Sequence, residues 1–211
     1  MFNFETTNKV LSQPNSQIDP TITSIDQIKY LLSLLETTLD DDVMGDVVEL
    51  GCYIGESSKW ITMMMIEKDS NKKLWTYDSF EGLPEPGPNE PEWRKGSLST
   101  TQEIFCQNYV NNQLPIPNIY KCWFNEITDE MLPDKISFAV FDGDFYQSIY
   151  DSLQKVYPKL SKGAIVCFHD YERWNLPGVK KAVDDFFEQI GKKERIQFKI
   201  CDQLGVYIHE D

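Results

Sequence analysis

Short apolar runs recur along the chain, separated by longer segments whose apolar residues follow a helical period. The predicted strands are residues 47–50, 74–77, 119–122, 136–141, 164–168, 197–201 and 206–209. The predicted helices are residues 25–39, 57–68, 101–111, 146–160 and 177–190. Because apolar strands that alternate with helices belong to parallel sheets buried on both faces, this pattern predicts an α/β fold of the Rossmann-like type, with helices on both faces.

The last two predicted strands are connected differently from the others. Only residues 202–205 lie between them, which is too short for the crossover helix that a parallel pair requires. We therefore expect an antiparallel hairpin at the C-terminal end of a seven-stranded, mostly parallel sheet.

The N-terminal residues differ in character from the rest of the chain. Residues 1–20 are polar, contain Pro14 and Pro20, and are expected to form an arm. Ser24 and Gln27 then form a capping-box pattern at the start of the first helix. We expect residues 21–211 to be one domain. The arm and the first helix are candidates for covering a site or for contacts in a homo-oligomer.

Charge and composition exclude some partners. The net charge of this 211-residue chain is −14, and an acidic surface repels nucleic-acid phosphates, so no DNA or RNA partner is expected. No apolar run approaches the ~20 residues of a membrane span, and the N-terminus lacks the features of a secretory signal. Five cysteines without a C-x-x-C pair favour a reducing, cytoplasmic compartment over a disulfide framework.

Candidate ligand-binding residues follow the first two predicted strands. Glu49 ends the first strand and is followed by Gly51 and Gly55. Their E-x-G-x-x-x-G spacing differs from the G-x-G-x-x-G of dinucleotide sites and is typical of S-adenosylmethionine sites. Asp78 ends the second strand, where a carboxylate can accept both hydroxyls of a ribose. The alternatives are a purely structural turn for the glycines and capping of the next turn for Asp78.

Two further polar clusters follow the fourth and fifth predicted strands: Asp142 with Asp144, and His169 with Asp170. Because the carboxyl ends of neighbouring parallel strands meet at one edge of a sheet, these side chains are expected to converge. Carboxylate oxygens suit Mg²⁺, and a histidine widens the choice to Mn²⁺, Fe²⁺ or Zn²⁺. The alternative is that the acids only cap the segments that follow.

On these motifs the chain resembles the macrocin O-methyltransferase (TylF-type) family. The most specific stretches are D-S-F-E-G-L-P at residues 78–84 and D-G-D-F-Y-Q-S at residues 142–148. The other similar stretches are residues 21–24, 45–58, 122–126, 157–160, 169–171 and 177–183. Residues 1–20 lie outside them. A seven-stranded sheet with a C-terminal hairpin is likewise typical of class I methyltransferases.

The resemblance implies an S-adenosylmethionine-dependent, Mg²⁺-dependent O-methyltransferase that acts on a sugar hydroxyl of a small molecule. The cofactor-binding positions it implies are Glu49, Gly51, Tyr53, Gly55, Ser57, Asp78, Ser79, Trp123, Phe124 and Asp142. The metal-binding positions it implies are Asp142, His169 and Asp170. Asp142 or His169 is then the candidate that takes the proton from the reacting hydroxyl, which contributes roughly 10²–10⁴-fold to such a reaction.

The chain departs from the family pattern at two positions. His169 stands where the family typically has Asp, which leaves the metal open, and Cys122 stands where Gly is usual. Residues 84–96 form a long Pro- and Gly-rich segment, either a lid in which Trp93 and Arg94 contact the substrate or a plain surface loop. Competing functional hypotheses are a catechol-like phenol or an amine as acceptor, a non-catalytic cofactor-binding scaffold and, third, an oxidoreductase.

Overall fold

The computed structural model describes residues 4–13, 23–88, 90, 94–192, 198–200 (backbone only) and 203–210. Within these residues the strands are Asp46–Leu50 (β1), Leu74–Asp78 (β2), Asn118–Lys121 (β3), Ile136–Phe141 (β4), Leu160–Phe168 (β5), Phe198–Ile200 (β6) and Leu204–Ile208 (β7). The α-helices are Glu5–Leu11 (α1), Ile25–Asp40 (α2), Glu56–Glu67 (α3), Gln102–Asn111 (α4), Tyr146–Val156 (α5) and Pro177–Gln189 (α6).

The described strands form one seven-stranded sheet in the order β3-β2-β1-β4-β5-β7-β6. Strands β1 to β5 pair in parallel, and β7 is antiparallel to both β5 and β6. The predicted Rossmann-like sheet with a C-terminal hairpin is therefore confirmed. Strand β1 lies between β2 and β4, so the order reverses beside its carboxyl end, where open α/β sheets bind ligands.

Each face of the sheet is covered by its own set of helices, because side chains alternate along every strand. Val48 and Leu50 of β1 belong to the apolar cluster that contains the buried residues of α5 and α6. Val47, next to them, belongs to the cluster that contains the buried residues of α2 and α3. Burial of such a side chain is worth roughly 1.5–3 kcal/mol. The two cores hold the strand ends in fixed positions relative to one another.

Helix α2 begins as its sequence predicts. The hydroxyl of Ser24 accepts a hydrogen bond from the backbone N–H of Gln27, and the Gln27 side chain accepts one from the backbone N–H of Ser24. This reciprocal capping box satisfies two amides that the helix itself leaves without partners.

The expected polar arm contains a helix that its composition did not predict. Helix α1 packs against α2 and α3, with Thr7 and Val10 buried. The Thr7 hydroxyl is 3.4 Å from a carboxylate oxygen of Glu36 on α2. Residues 5–11 are thus part of the packed structure. The domain boundary expected at residues 20 and 21 falls in the segment 14–22, outside the described residues.

Several element boundaries differ from the predictions. Helix α5 was predicted to reach residue 160, but it ends at Val156, since Pro158 cannot continue an α-helix and occupies a short 3₁₀ turn. Strand β5 then begins at Leu160, four residues earlier than predicted. Strand β7 begins at Leu204 rather than 206 and includes Gly205, which had been assigned to the turn. Residues 197 and 201, predicted ends of β6, lie outside the described residues.

The apolar residues of the helix predicted at residues 101–111 indicate a single face that carries Ile104, Phe105 and Tyr109. Ile104 is exposed instead, while Phe105 and Tyr109 are buried. Positions 105 and 109 are one turn apart and share a face, whereas position 104 is rotated away from them.

None of the described helices is long and apolar enough to cross a membrane. Cys52, Cys106, Cys122 and Cys167 are free thiols, as expected, and Cys201 lies outside the described residues.

Candidate active site

A cleft of about 700 Å³ opens at the carboxyl edge of the parallel strands. Among the predicted site residues, those that line it are Gly51, Tyr53, Asp78, Ser79, Trp123, Phe124, Asp142, His169 and Asp170. Glu49, Gly55 and Ser57 are not among the lining residues. The volume lies within the range of typical small-molecule sites. The structure thus brings most of the predicted residues into one cavity.

We call the ends of the first two strands the β1–β2 corner, formed by Glu49, Gly51 and Asp78. Gly51 has a φ of +94°, and a Cβ there would lie 2.1 Å from the carbonyl oxygen of Asp142. Only glycine lets the end of β1 lie this close to the end of β4. Gly55 is the N-cap residue immediately before α3, and a Cβ there would lie 2.9 Å from the Phe105 ring. Both glycines therefore have structural reasons, and Gly51 in addition lines the cleft.

Glu49, a member of the β1–β2 corner, is fully buried. The hydroxyls of Ser57 and Ser58, in the first turn of α3, both donate hydrogen bonds to its carboxylate. Burial raises the pKa of Glu49 from its usual 4.5 to about 7, and the two serine hydroxyls only partly offset this effect. In this structure Glu49 and Ser57 hold α3 against β1 and are not exposed to the cleft.

Asp78 caps the turn that follows β2 and also lines the cleft. One carboxylate oxygen accepts the backbone N–H of Tyr53 at 2.8 Å, and the other accepts that of Phe80 at 2.7 Å. These bonds order the two loops that follow β1 and β2. Burial raises the pKa of Asp78 above its usual range. Since the residue also lines the cleft, its remaining lone pairs are available there.

The segment after β3 gives the cleft an aromatic wall. Trp123 and Phe124 line the cavity, at the start of a short 3₁₀ turn that ends at Glu126. The Glu126 carboxylate accepts the backbone N–H of Trp123 at 3.0 Å, which fixes this turn. Ser79 also lines the cleft, and its hydroxyl accepts the backbone N–H of Glu81. Aromatic faces at this position suit a planar heterocycle such as adenine.

We call the ends of the fourth and fifth strands the β4–β5 corner, formed by Asp142, His169 and Asp170. One potential ligand atom from each of the three residues lies within 4.8 Å of the others. The backbone N–H of His169 donates to the carbonyl of Phe141 at 2.9 Å, which extends the β4–β5 pairing to this point. The predicted convergence of the two clusters is therefore observed.

The β4–β5 corner contains buried polar atoms that lack well-directed hydrogen bonds. Nδ1 of His169 lies 3.0 Å from Asp142 and 3.4 Å from Asp170. Nevertheless, within the described residues neither nitrogen of His169 has a hydrogen-bond partner, and Oδ1 of Asp170 has none either. Such groups normally have one, because leaving them without costs about 1–3 kcal/mol each. Two carboxylates and one imidazole that converge in this way fit a divalent cation.

The charges of the β4–β5 corner determine the pKa of His169. Burial alone would lower the pKa of His169, but the negative charges of Asp142 and Asp170 raise it well above its ordinary value. Arg173 donates from Nη1 to Oδ2 of Asp170 at 3.0 Å and leaves Oδ1 available. A bound cation would replace the imidazole proton as the positive charge between the two carboxylates.

Asp144 belongs to the cleft but received no individual role from the sequence. It lies two residues beyond Asp142, in a left-handed conformation with a φ of +59°, and is nearly fully buried. Burial, together with the charges of Asp142 and Asp170, raises its pKa well above the usual value. A carboxylate with a raised pKa in a cleft is a candidate proton acceptor.

Glu90 is a cleft residue that the sequence did not reveal. It is only 1% exposed, although its neighbours in the chain are Pro- and Gly-rich loop residues. Its carboxylate accepts the backbone N–H of Tyr146 at the start of α5 at 2.9 Å and that of Gly87 at 3.0 Å. These two hydrogen bonds hold the loop against the start of α5, beside the cleft. Arg94, which would contact substrate if the loop were a lid, is exposed and is not among the lining residues. Trp93 lies outside the described residues.

A parallel sheet that reverses at β1, with a glycine turn after β1, an acid after β2 and acids after β4, defines a class I methyltransferase. The family model described as macrocin-O-methyltransferase (TylF) matches residues 2–210. The chain belongs to this family and is an S-adenosylmethionine-dependent O-methyltransferase. The match begins nearer the N-terminus than the motifs that suggested it.

Two characterised relatives show similar levels of identity. The 8-demethyl-8-(2,3-dimethoxy-alpha-L-rhamnosyl)-tetracenomycin-C 4'-O-methyltransferase of Streptomyces olivaceus is 27% identical over 210 residues, which cover 94% of this chain and 78% of that protein. The demethyldecarbamoylnovobiocin O-methyltransferase of Streptomyces niveus is 27% identical over 204 residues, covering 89% of this chain and 74% of that protein.

Solved structures show the same fold. The O-methyltransferase NovP superposes with a TM-score of 0.81 at 23% identity, covering 89% of this chain and 81% of that chain. The calicheamicin methyltransferase CalS11 superposes with a TM-score of 0.69 at 18% identity, covering 98% of this chain and 90% of that chain. At these levels of identity the structures support the fold alone.

Proposed function

We propose that this enzyme transfers the methyl group of S-adenosylmethionine to a hydroxyl of a sugar or a glycosylated small molecule, assisted by a divalent cation. The observation that carries the proposal is the single cleft in which the β1–β2 corner and the β4–β5 corner face one cavity. A methyl donor and a cation-bound acceptor are the two components that such a cavity can bring together.

The cofactor is assigned to the side of the cleft that Gly51, Tyr53 and Asp78 form, with its adenine against Trp123 and Phe124. Asp78 accepts the ribose hydroxyls, and Ser79 lies beside it. S-adenosylmethionine supplies an activated methyl group on a sulfonium. The protein contributes the orientation of the two reactants, which can account for several powers of ten in rate.

The cation is assigned to Asp142, His169 and Asp170, whose potential ligand atoms converge. Among the described residues, His169 and Asp170 also have buried atoms without hydrogen-bond partners. When bound, a divalent cation lowers the pKa of a hydroxyl and orients it. Asp142 and His169 were the first candidates for the proton acceptor. Asp144 lines the same cleft and is a further candidate when Asp142 and His169 are engaged as ligands.

A sugar hydroxyl is proposed as acceptor because of the relatives. The Streptomyces olivaceus protein is named as a 4'-O-methyltransferase of a rhamnosyl compound, and a relative from Micromonospora griseorubida, 25% identical over 203 residues, as a mycinamicin III 3''-O-methyltransferase. A phenol and an amine are the alternative acceptors. The free thiols of the described cysteines suit a reducing, cytoplasmic compartment.

Calorimetric titration and an acceptor screen test the proposal. S-adenosylmethionine is titrated into the purified chain with and without Mg²⁺ or Mn²⁺, and methylation of glycosides, catechols and amines is then followed by mass spectrometry. We expect micromolar cofactor binding and methylation of a glycoside hydroxyl that a chelator abolishes. Methylation confined to phenols or amines, or turnover unaffected by the chelator, would contradict the corresponding part of the proposal.

A further inference from the structure

We propose that the β4–β5 corner is built for a first-row transition-metal ion, with a ring nitrogen of His169 as one ligand, rather than for Mg²⁺. This inference rests on the proposed metal-assisted function and goes beyond it by naming the class of cation. It also replaces the Mg²⁺ that the family resemblance implied.

The sheet fixes the position of the His169 imidazole beside both carboxylates. His169 directly follows β5, and its backbone N–H is bonded to the carbonyl of Phe141, so the start of the side chain is fixed by the sheet. The side chain is only 12% exposed, and its Nδ1 lies 3.0 Å from one carboxylate and 3.4 Å from the other. An imidazole held there is part of any cation site that Asp142 and Asp170 form.

Buried polar atoms of the β4–β5 corner lack hydrogen-bond partners among the described residues. An imidazolium that itself served as the positive charge of the site would direct both N–H groups at acceptors. Within the described residues neither nitrogen of His169 makes a well-directed hydrogen bond, and Oδ1 of the deeply buried Asp170 accepts none. Oδ1 of Asp170 therefore has lone pairs to offer, and a ring nitrogen of His169 offers one once a metal ion displaces its proton. A metal ion between them satisfies them together.

The ligand atoms of the β4–β5 corner suit some cations better than others. Mg²⁺ prefers oxygen ligands, whereas imidazole suits Fe²⁺, Co²⁺, Ni²⁺ and Zn²⁺. With His169 in place of a third carboxylate, the corner has one negative charge fewer to offer. Arg173, which donates to Oδ2 of Asp170, further reduces the negative potential. Both effects weaken binding of a strongly hydrated, hard cation more than binding of a transition-metal ion.

The test compares Mg²⁺ and Co²⁺ affinities by calorimetry on the metal-free wild-type chain and on His169→Asp. We expect the wild type to bind Co²⁺ at least about 100-fold more tightly than Mg²⁺. In His169→Asp this selectivity should fall at least about tenfold, because the added carboxylate strengthens Mg²⁺ binding and the lost nitrogen weakens Co²⁺ binding.

A spectroscopic readout assigns the ligand independently of affinity. The chain has only two histidines, His169 and His209, so an imidazole nitrogen coupled to bound Mn²⁺ in electron spin-echo modulation has two possible sources. We expect the coupling in the wild type and in the control His209→Gln, and its loss in His169→Asp. If His169→Asp does not fold, His169→Asn takes its place in both measurements.

The outcomes separate this inference from the proposed function. Equal selectivity in wild type and His169→Asp, without imidazole coupling, overturns the inference but leaves metal assistance intact. Failure of the wild type to bind any divalent cation, while S-adenosylmethionine still binds, overturns both, and the protonated His169 is then the cation of the site.

Discussion

The two corners of the cleft both contain buried acids, but they differ in how those acids are satisfied. At the β1–β2 corner each carboxylate has protein donors: two serine hydroxyls for Glu49, and two backbone amides for Asp78. At the β4–β5 corner His169 and Asp170 keep atoms without hydrogen bonds among the described residues. The acids of the first corner are satisfied by donors within the protein, whereas the second corner has atoms available to a ligand.

This difference teaches which acids shape the site and which react. Acids that are already hydrogen-bonded within the protein orient loops, and their removal costs stability or cofactor affinity. Acids with open lone pairs are available to the proposed cation, and in that role their removal costs turnover.

The largest expected effect comes from the β4–β5 corner. Asp170→Asn removes one charged ligand and should lower kcat/KM at least about 100-fold, because metal sites are more sensitive to their ligands than to outer partners. The dissociation constant of S-adenosylmethionine should change by less than about threefold, since the β1–β2 corner is untouched. Steady-state kinetics and calorimetry measure the two quantities. Asp129→Asn, at a side chain that is 85% exposed, is the control. Equal losses in binding and turnover would show that the corners are not separate.

The next effect is a pH dependence of stability caused by Glu49. Its pKa is about 7 in the folded protein and about 4.5 when unfolded, so the unfolded chain releases this proton first as the pH rises. The contribution of Glu49 is fully favourable below pH 4.5 and is lost between pH 4.5 and 7. Relative to the wild type, Glu49→Gln should therefore gain about 2–3 kcal/mol of unfolding free energy between pH 5 and pH 8.

Urea unfolding at the two pH values measures this difference. Ser58→Ala provides a second check. It removes a hydroxyl that donates to Glu49, so the unfolding free energy of this variant should fall more between pH 5 and pH 8 than that of the wild type. A Glu49→Gln chain with the same pH dependence as the wild type would mean that Glu49 is ionised throughout this range.

A smaller effect is expected at Asp78. Asp78→Ala removes the acceptor for the ribose and the acceptor for two loop amides, and should weaken S-adenosylmethionine binding more than about tenfold, or 1.4 kcal/mol. Glu81→Ala, an exposed acid three residues further on, should leave the affinity unchanged. An unchanged dissociation constant in Asp78→Ala would reduce its role to capping the loop.

The smallest effect concerns the loop over the cleft. Glu90→Gln keeps an oxygen for one of the two amides and should raise KM for the acceptor about threefold to tenfold, with little change in kcat or in cofactor affinity. Gly178→Ala should act in the same direction, because its Cβ would lie 2.0 Å from the Glu90 carboxylate. A fall in kcat alone in both variants would argue that Glu90 does not position the loop.

Most of the fold could be predicted because it depends on local patterns. Apolar runs and helical periods fix the order of elements, and the Ser24–Gln27 pair fixes a helix start. The failures occur where long-range packing decides. Helix α1 has few apolar residues and depends on α2 and α3 for its stability, and Gly205 lies within a strand although glycine usually marks turns.

The candidate site could be predicted in part, for a related reason. Chain order and strand ends place Asp78, Asp142 and His169 at one edge. The direction of a side chain depends on its neighbours, so Glu49, predicted to bind the cofactor, lies instead beneath the cleft with the α3 serines. Glu90 escaped notice because its partner Tyr146 is 56 residues away in the sequence and its own segment has no periodicity.

The position of β7 constrains the order of events during synthesis. Residues 204–208 lie between β5 and β6 in the sheet, although they are made after both. On the ribosome, β5 must therefore keep one edge unpaired until residues 204–208 have emerged. An open apolar edge of this kind favours aggregation, so chaperone occupancy of the nascent chain should persist until β7 appears.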